Sequence, residues 1–422
     1  MAVGSGLSAT FGIATETVPL TPVAVTRFAE FDSETMALKK GIVQGAGLRG
    51  GGLVRRAQRR ILVSRMATGG VNFDAMTNGF GLFLQHMLGS YTTTPASIGG
   101  GLFRQVHNTG PLAGKTFTTQ IVKPDTTGVL AQQAFTYPGC KITDWEMSVA
   151  QTGQVKVKLT IDAIDEATPS NGFSSTLSSA LVTAAATSIT TVASIPAGSY
   201  VVVDTGLLAE VVQTGTPSGA GPFTIPIVTP GGLAQAHASG VYVGSATNVN
   251  YGAATALQTA SYNSATNMFA FQQGKLVAGG TTSVVSGVWT NTGGQVVANV
   301  RTAVIKGKNQ VKADRFGLGN VTRNEQLDNG WRDYTGTADV EYNGRSFYDA
   351  YAGDVPMCIQ LTFTTPTGSV LQVYAPVGFQ EDGASPAVAG PDIIIQKFAL
   401  TFLDDGVNGA LQVVYTSTDV AC

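Results

Sequence analysis

The sequence predicts a mainly β protein, a barrel or sandwich with one short helix, long loops or arms, and an inserted small β module. Three observations predict it. Apolar residues recur with a period of two over much of the chain, which is the signature of half-buried strands. Apolar residues at helical spacing are scarce. The composition is glycine-rich and charge-poor, with 52 Gly in 422 residues and 12 % charged residues, against about 25 % charged in an ordinary domain. At 43 % hydrophobic residues the chain is too apolar for disorder, which needs low hydrophobicity and high net charge.

Along the chain, the first 25 residues and the stretch from about 92 to 133 show no period and read as long loops or arms that order against something else. Between them, Phe80, Phe83, Leu84, Met87 and Leu88 fall at helical spacing, with Asn78 as a possible cap and Gly89 as a stop. Trp145, Met147 and Val149 then alternate with Asp144, Glu146 and Ser148. After AQTGQ, the apolar Val155, Val157, Leu159 and Ile161 alternate with Lys156, Lys158, Thr160 and Asp162. A hairpin folded about Thr152 sets Trp145 opposite Leu159 and Glu146 opposite Lys158, so one register satisfies both faces. Trp145, Met147, Leu159 and Ile161 should face the packed side, and the hairpin edges could be donated to neighbouring subunits. A second hairpin runs from Met357, Ile359, Leu361 and Phe363 through TPTG into Leu371, Val373 and Ala375. Alternation returns in Phe398, Leu400 and Phe402 before Asp404-Asp405-Gly406.

Residues 174–249 differ in texture. They hold few charges and read as short strands at Thr187 to Val192, Tyr200 to Asp204, Glu210 to Gln213, Phe223 to Val228 and Gly240 to Gly244, punctuated by Pro and Gly. The expected organisation is a discontinuous β domain over 1–173 and 250–422, with 174–249 inserted as a module of its own.

The motifs that carry chemistry fail on context. Gly45-Ala-Gly47-Leu-Arg-Gly50 matches a dinucleotide fingerprint by letter, but Gly51 and Gly52 are poor helix starters and the positions around residue 70 are Gly and Val. Gly114-Lys115-Thr116 lacks the earlier glycine of a phosphate loop, because position 109 is Thr. His86, His107 and His237 stand alone, without metal-ligand spacing or a partner for a nucleophile, and Asp404-Asp405-Gly406 reads as a turn. No cofactor, metal or catalytic residue is expected. Cys140, Cys358 and Cys422 are too widely spaced for zinc and odd in number, which favours a reducing compartment. No secretion signal opens the chain and no run of 18 apolar residues crosses a membrane. The formal net charge of -2 gives no global basic field for nucleic acid. One basic run, Arg49, Arg55, Arg56, Arg59, Arg60 and Arg65, suits phosphate contact or, alternatively, a solvated or inter-subunit salt-bridging face. No aromatic interleaves it to stack bases.

Four stretches, TRFAEFDSETMALKKGIVQGAGLR, FTYPGCKITDWEMSVAQTGQVKVKLTIDAIDE, DRFGLGNVTRNEQLDNGWRDYTGTADVEY and GPDIIIQKFALTFLDDG, together resemble the major tail tube proteins of long-tailed bacteriophages, particularly those of actinobacterial hosts. The resemblance implies a tail-tube-type β-barrel and a structural, non-enzymatic virion protein assembled in the host bacterial cytoplasm. It implies hexameric rings stacked into a tube that conducts double-stranded DNA without specific binding. The partners it implies are further copies of the chain, the tape measure protein, the tail terminator and the baseplate or distal tail proteins. In that setting Trp145, Glu146, Met147, Lys158, Leu159 and Ile161 are candidates for packing or assembly, and the arginines for inter-subunit salt bridges. A terminator, baseplate or minor tail protein would share the β texture, as would a surface adhesin, which should carry a signal peptide. A carbohydrate-active β enzyme would need paired carboxylates in one cleft.

Overall fold

The structure, a computed structural model, describes residues 6–47, 54–56, 59–92, 94–124, 132–168, 174–178, 181–195, 197–204, 208, 210–245, 257–264, 266–382, 385–386, 388 and 390–421. The described residues are mostly β, with two α-helices among them, Gly81–Leu88 and Ser346–Ala352. The chain divides into two compact units, one over Thr10–Ile121, Tyr137–Glu166 and Gln258–Cys422, the other over Met1–Ala9, Val122–Thr136 and Ala167–Leu257.

The larger unit is organised by one antiparallel ladder. Its strands run in the order Ala37–Gln44, Arg60–Asp74, Lys156–Ala163, Gln132–Ala150, Val300–Lys308, Asp333–Glu341, Ile395–Leu403 and Val370–Asp382. On the far side of the last strand lie Met357–Thr364 and then Gly274–Ala278. Gln412–Ser417 pairs with both Val370–Asp382 and Leu102–Asn108. Alternation decides the faces: Asp333–Glu341 buries every second residue, from Tyr334 to Val340, and inward Ile305, Leu361, Phe363, Phe398 and Phe402 pack into a common apolar core.

The central hairpin takes the register its amphipathicity demands, with Trp145 opposite Leu159 and Glu146 opposite Lys158. Thr152 occupies the left-handed region at φ 64 in the turn. The second hairpin pairs Phe363 with Leu371, Leu361 with Val373 and Ile359 with Ala375. Asp404 and Asp405 form a turn, their carboxylates accepting from the backbone of Gly406, Val407 and Asn408.

Three expectations are corrected. Residues 1–25 and 92–133 are not wholly arms, since Thr10–Thr15, Ala96–Gly99, Leu102–Asn108 and Phe117–Pro124 are strands. Thr10–Thr15 and Phe117–Pro124 are buried on both faces, so no alternation marks them. The chain after Thr15 is tied down by buried Glu16, which accepts from the Thr118 hydroxyl at 2.8 Å and the Gly139 and Leu20 amides at 2.8 and 2.9 Å. Residues 125–131 lie outside the described residues. Secondly, the described residues hold two helices rather than one: in the short Ser346–Ala352 none of the residues is fully buried, though Phe347 packs on Phe398 with ring centroids 3.9 Å apart. Thirdly, Asn78 does not cap the first helix: the N-cap is Phe80, and the Asn78 amide oxygen accepts from the Thr418 hydroxyl at 2.7 Å. Gly89 does end that helix, in the left-handed region at φ 88.

In the smaller unit, Ser174–Thr176, Tyr242–Ser245, Tyr200–Val203 and Glu210–Gln213 form one sheet, and Ser188–Thr191 pairs with Phe223–Pro226. Their inward side chains build a separate apolar core from Leu177, Ile189, Val201, Val203, Val212, Ile225 and Val243.

Candidate assembly surfaces

The hairpin candidates are packing residues inside the chain. Trp145, Met147, Leu159 and Ile161 are buried, and the Trp145 ring lies 6.1 Å from that of Tyr334. Gly307 stands directly across the ladder from Trp145, and a Cβ there would fall 2.3 Å from the indole. Only glycine leaves room for the ring. Glu146 meets the Lys306 ammonium at 3.0 Å on the solvent side, with Lys158 opposite it in the ladder.

The hairpin does not offer its edges to another subunit. Gln132–Ala150 is covered by Val300–Lys308, and Lys156–Ala163 by Arg60–Asp74. Sequence alternation could not reveal this, because a paired edge and a free edge carry the same period.

The exposed edge lies elsewhere. Among the described residues Ala37–Gln44 pairs only with Arg60–Asp74, and that hairpin leaves Ile42, Val43, Ile61, Leu62 and Val63 exposed. An unpaired strand edge with exposed apolar side chains is a template for another chain. The arginine run decorates the same hairpin. Arg55, Arg56, Arg59 and Arg60 are exposed, and Arg49 lies outside the described residues. Arg65 differs, since its guanidinium binds the buried Asp165 carboxylate at 3.0 Å and donates to the Glu166 carbonyl. Burial raises the Asp165 pKa, and the Arg65 charge opposes that rise.

Two of the three histidines are structural. Burial pushes His86 and His107 down to about 3, with Lys115 and Lys141 adding to the effect at His86. His237 was expected to stand alone and does not. Its ring nitrogens lie 3.0 Å from Asp204 and 2.6 Å from Glu210. Both partners are carboxylates, an arrangement that favours the doubly protonated, charged imidazole. Burial opposes that charge, but the two carboxylates outweigh it and raise the pKa. Among the described residues no group of three or more His, Cys, Asp or Glu is placed to hold a metal ion, and no helix is long and apolar enough to cross a membrane.

No curated protein matches the chain. A family model described as phage tail tube protein matches it over residues 6–216 and again over 193–402. A β-rich chain with an exposed, apolar sheet edge, matched along nearly its whole length, is a structural tail component, and the chain belongs to the phage tail tube protein family.

Proposed function

We propose that the protein closes into rings with a six-part, hexagonal outline that stack into the tail tube of a long-tailed bacteriophage of actinobacteria, a hollow conduit for the genome. The observation that carries this reading is the unpaired Ala37–Gln44 edge with its exposed apolar hairpin. A closed ring removes such an edge, because each chain's free strand meets the next chain's sheet. The formal charge of -2 suits a bore that lets DNA phosphates pass rather than retaining them. The tape measure protein would fill the bore before ejection, and the terminator and distal tail proteins would close the two ends. Assembly takes place in the host cytoplasm. Residues 174–249 form an outward-facing module, since copies of it inside would block the bore.

Electron microscopy of the purified protein over rising concentration tests the reading. Rings that stack into hollow tubes are expected. A protein that stays monomeric at every concentration overturns it, and single rings that never stack favour a terminator instead.

A further inference from the structure

The larger unit repeats one topology along the chain. In the first half, Thr10–Thr15 pairs with Arg27–Ala29 and with Phe117–Pro124, Ala37–Gln44 pairs with Arg60–Asp74, that strand pairs with Lys156–Ala163, and the latter with Gln132–Ala150. In the second half, Gly274–Ala278 pairs with Gln295–Val296 and with Met357–Thr364, and Val300–Lys308 with Asp333–Glu341. Asp333–Glu341 then pairs with Ile395–Leu403, and the latter with Val370–Asp382. The helices Gly81–Leu88 and Ser346–Ala352 follow the equivalent strands, Arg60–Asp74 and Asp333–Glu341.

The repetition extends to single residues. Arg65-x-x-Thr68-Gly69-x4-Asp74 matches Arg332-x-x-Thr335-Gly336-x4-Glu341. Gly69 faces Ile161 and Gly336 faces Leu400. Beside those partners both ladders skip one residue, Thr143 between Ile142 and Asp144, and Glu381 between Gln380 and Asp382. A bulge at the same place in two ladders is a designed feature of one fold.

The two copies are joined by Gln132–Ala150 pairing with Val300–Lys308, which sets Asp144 opposite Lys308. The second copy reaches over the first at this joint. Arg323 binds Asp162 at 2.6 Å, Lys141 binds Glu325 at 2.6 Å, and Asn309 and Arg332 donate to the last carbonyls of the first helix. That helix is buried at every residue, whereas its counterpart Ser346–Ala352 is buried at none.

We propose that each chain carries two tandem copies of the ring-building fold and that the joint within the chain is repeated between chains, the Ala37 end of Ala37–Gln44 in one chain meeting the Asp382 end of Val370–Asp382 in the next. Six copies of the fold then need three chains, not six. The register follows from the equivalences. Lys39 pairs with Met66 as Lys308 pairs with Asp333, and Asp382 follows its bulge as Asp144 follows its own, so Lys39 meets Asp382. Beyond Gly378, the side of Val370–Asp382 away from Ile395–Leu403 carries no strand among the described residues. Arg55, Arg56, Arg59 and Arg60 beside the donated edge are exposed, as are Asp382, Asp404 and Asp405 beside the receiving strands, opposite charges that steer the two surfaces together. The contact also covers the helix Ser346–Ala352.

The inference rests on the ring reading, and its test separates the two. Lys39→Cys/Asp382→Cys in a C422S background, with Cys140 and Cys358 buried, is oxidised after assembly and run on a denaturing gel, since directly paired residues lie within disulfide reach. A ladder ending at three chains is expected, while Asp144→Cys/Lys308→Cys closes within the monomer. Native mass spectrometry of unmodified rings should give three times the 43.5 kDa chain mass. A ladder or mass of six chains, or intact rings without the cross-link, overturns the inference and leaves the tube reading standing. Failure of the unmodified protein to form rings overturns the tube reading instead.

Discussion

The contact between Trp145 and Gly307 yields a prediction with a built-in control. Trp145 is 2 % exposed, so Trp145→Ala loses a large buried ring and leaves a cavity, at a cost of about 3–5 kcal/mol. Gly307→Ala places a methyl 2.3 Å from indole Cε2 and 2.4 Å from Cζ2. Overpacking of that kind costs about 1–3 kcal/mol, offset by the roughly 0.5–1 kcal/mol that alanine gains over glycine within a strand. With the indole gone, the added methyl meets open space. Gly307→Ala in the Trp145→Ala background should then be neutral or stabilising, so the double variant falls short of additivity by about 1–3 kcal/mol. Denaturant unfolding followed by far-UV circular dichroism measures all three variants without depending on the tryptophan as a probe. Additive costs would show that the ring does not occupy the space above Gly307. Glu146→Ala is the contrast: its pair with Lys306 is solvent-exposed and should cost under about 1 kcal/mol. Equal losses for Trp145→Ala and Glu146→Ala would reverse the face assignment.

Further outcomes follow from the buried charges and the smaller unit. Arg65→Ala strips the buried Asp165 of its cation and should cost about 3–5 kcal/mol, while Arg60→Ala should stay within about 0.5 kcal/mol; similar melting shifts for both would refute the distinction. His237 gains its proton on folding, so its contribution is complete below the unfolded pKa of 6.5 and is lost as pH rises through the higher folded value. The stability gap between the parent and His237→Ala should therefore narrow with rising pH, and a gap independent of pH would mean a neutral imidazole. Deletion of Ser174 to Val249 with a short Gly/Ser linker should leave tubes of normal bore and smaller outer diameter. Loss of rings from a folded deletion variant would make the module part of the assembly contacts.

What the sequence made legible was whatever is written in local periodicity. The hairpin about Thr152 could be registered because one pairing satisfies both of its faces, and the first helix because Gly89 punctuates it. The short strands of the module, Glu210–Gln213 among them, stand out between turn residues. Thr10–Thr15 is hidden because burial on both faces erases alternation, and Ser346–Ala352 because its seven residues, with Phe347 and Tyr351 one turn apart, are too few to establish a period. The site at His237 is non-local, its partners lying 33 and 27 residues away. The repeated topology shows in the chain as a whole, where the family model matches twice, over 6–216 and 193–402, but it is faint residue by residue. Strand pairing preserves register under wide substitution, and residue identity survives mainly where geometry forbids change. At Gly69 a Cβ would fall 2.4 Å from the Thr35 carbonyl oxygen and 2.5 Å from Met36 backbone, and at Gly336 it would fall 2.5 Å from the Phe402 ring.

The central claim is that this chain builds a tube, and cryo-electron microscopy of the purified protein, concentrated until it assembles, tests it most directly. The account predicts hollow tubes of stacked rings in which density for Ala37–Gln44 continues the sheet of the neighbouring chain. A protein that remains monomeric at every concentration, or that forms filaments without a bore, would contradict it.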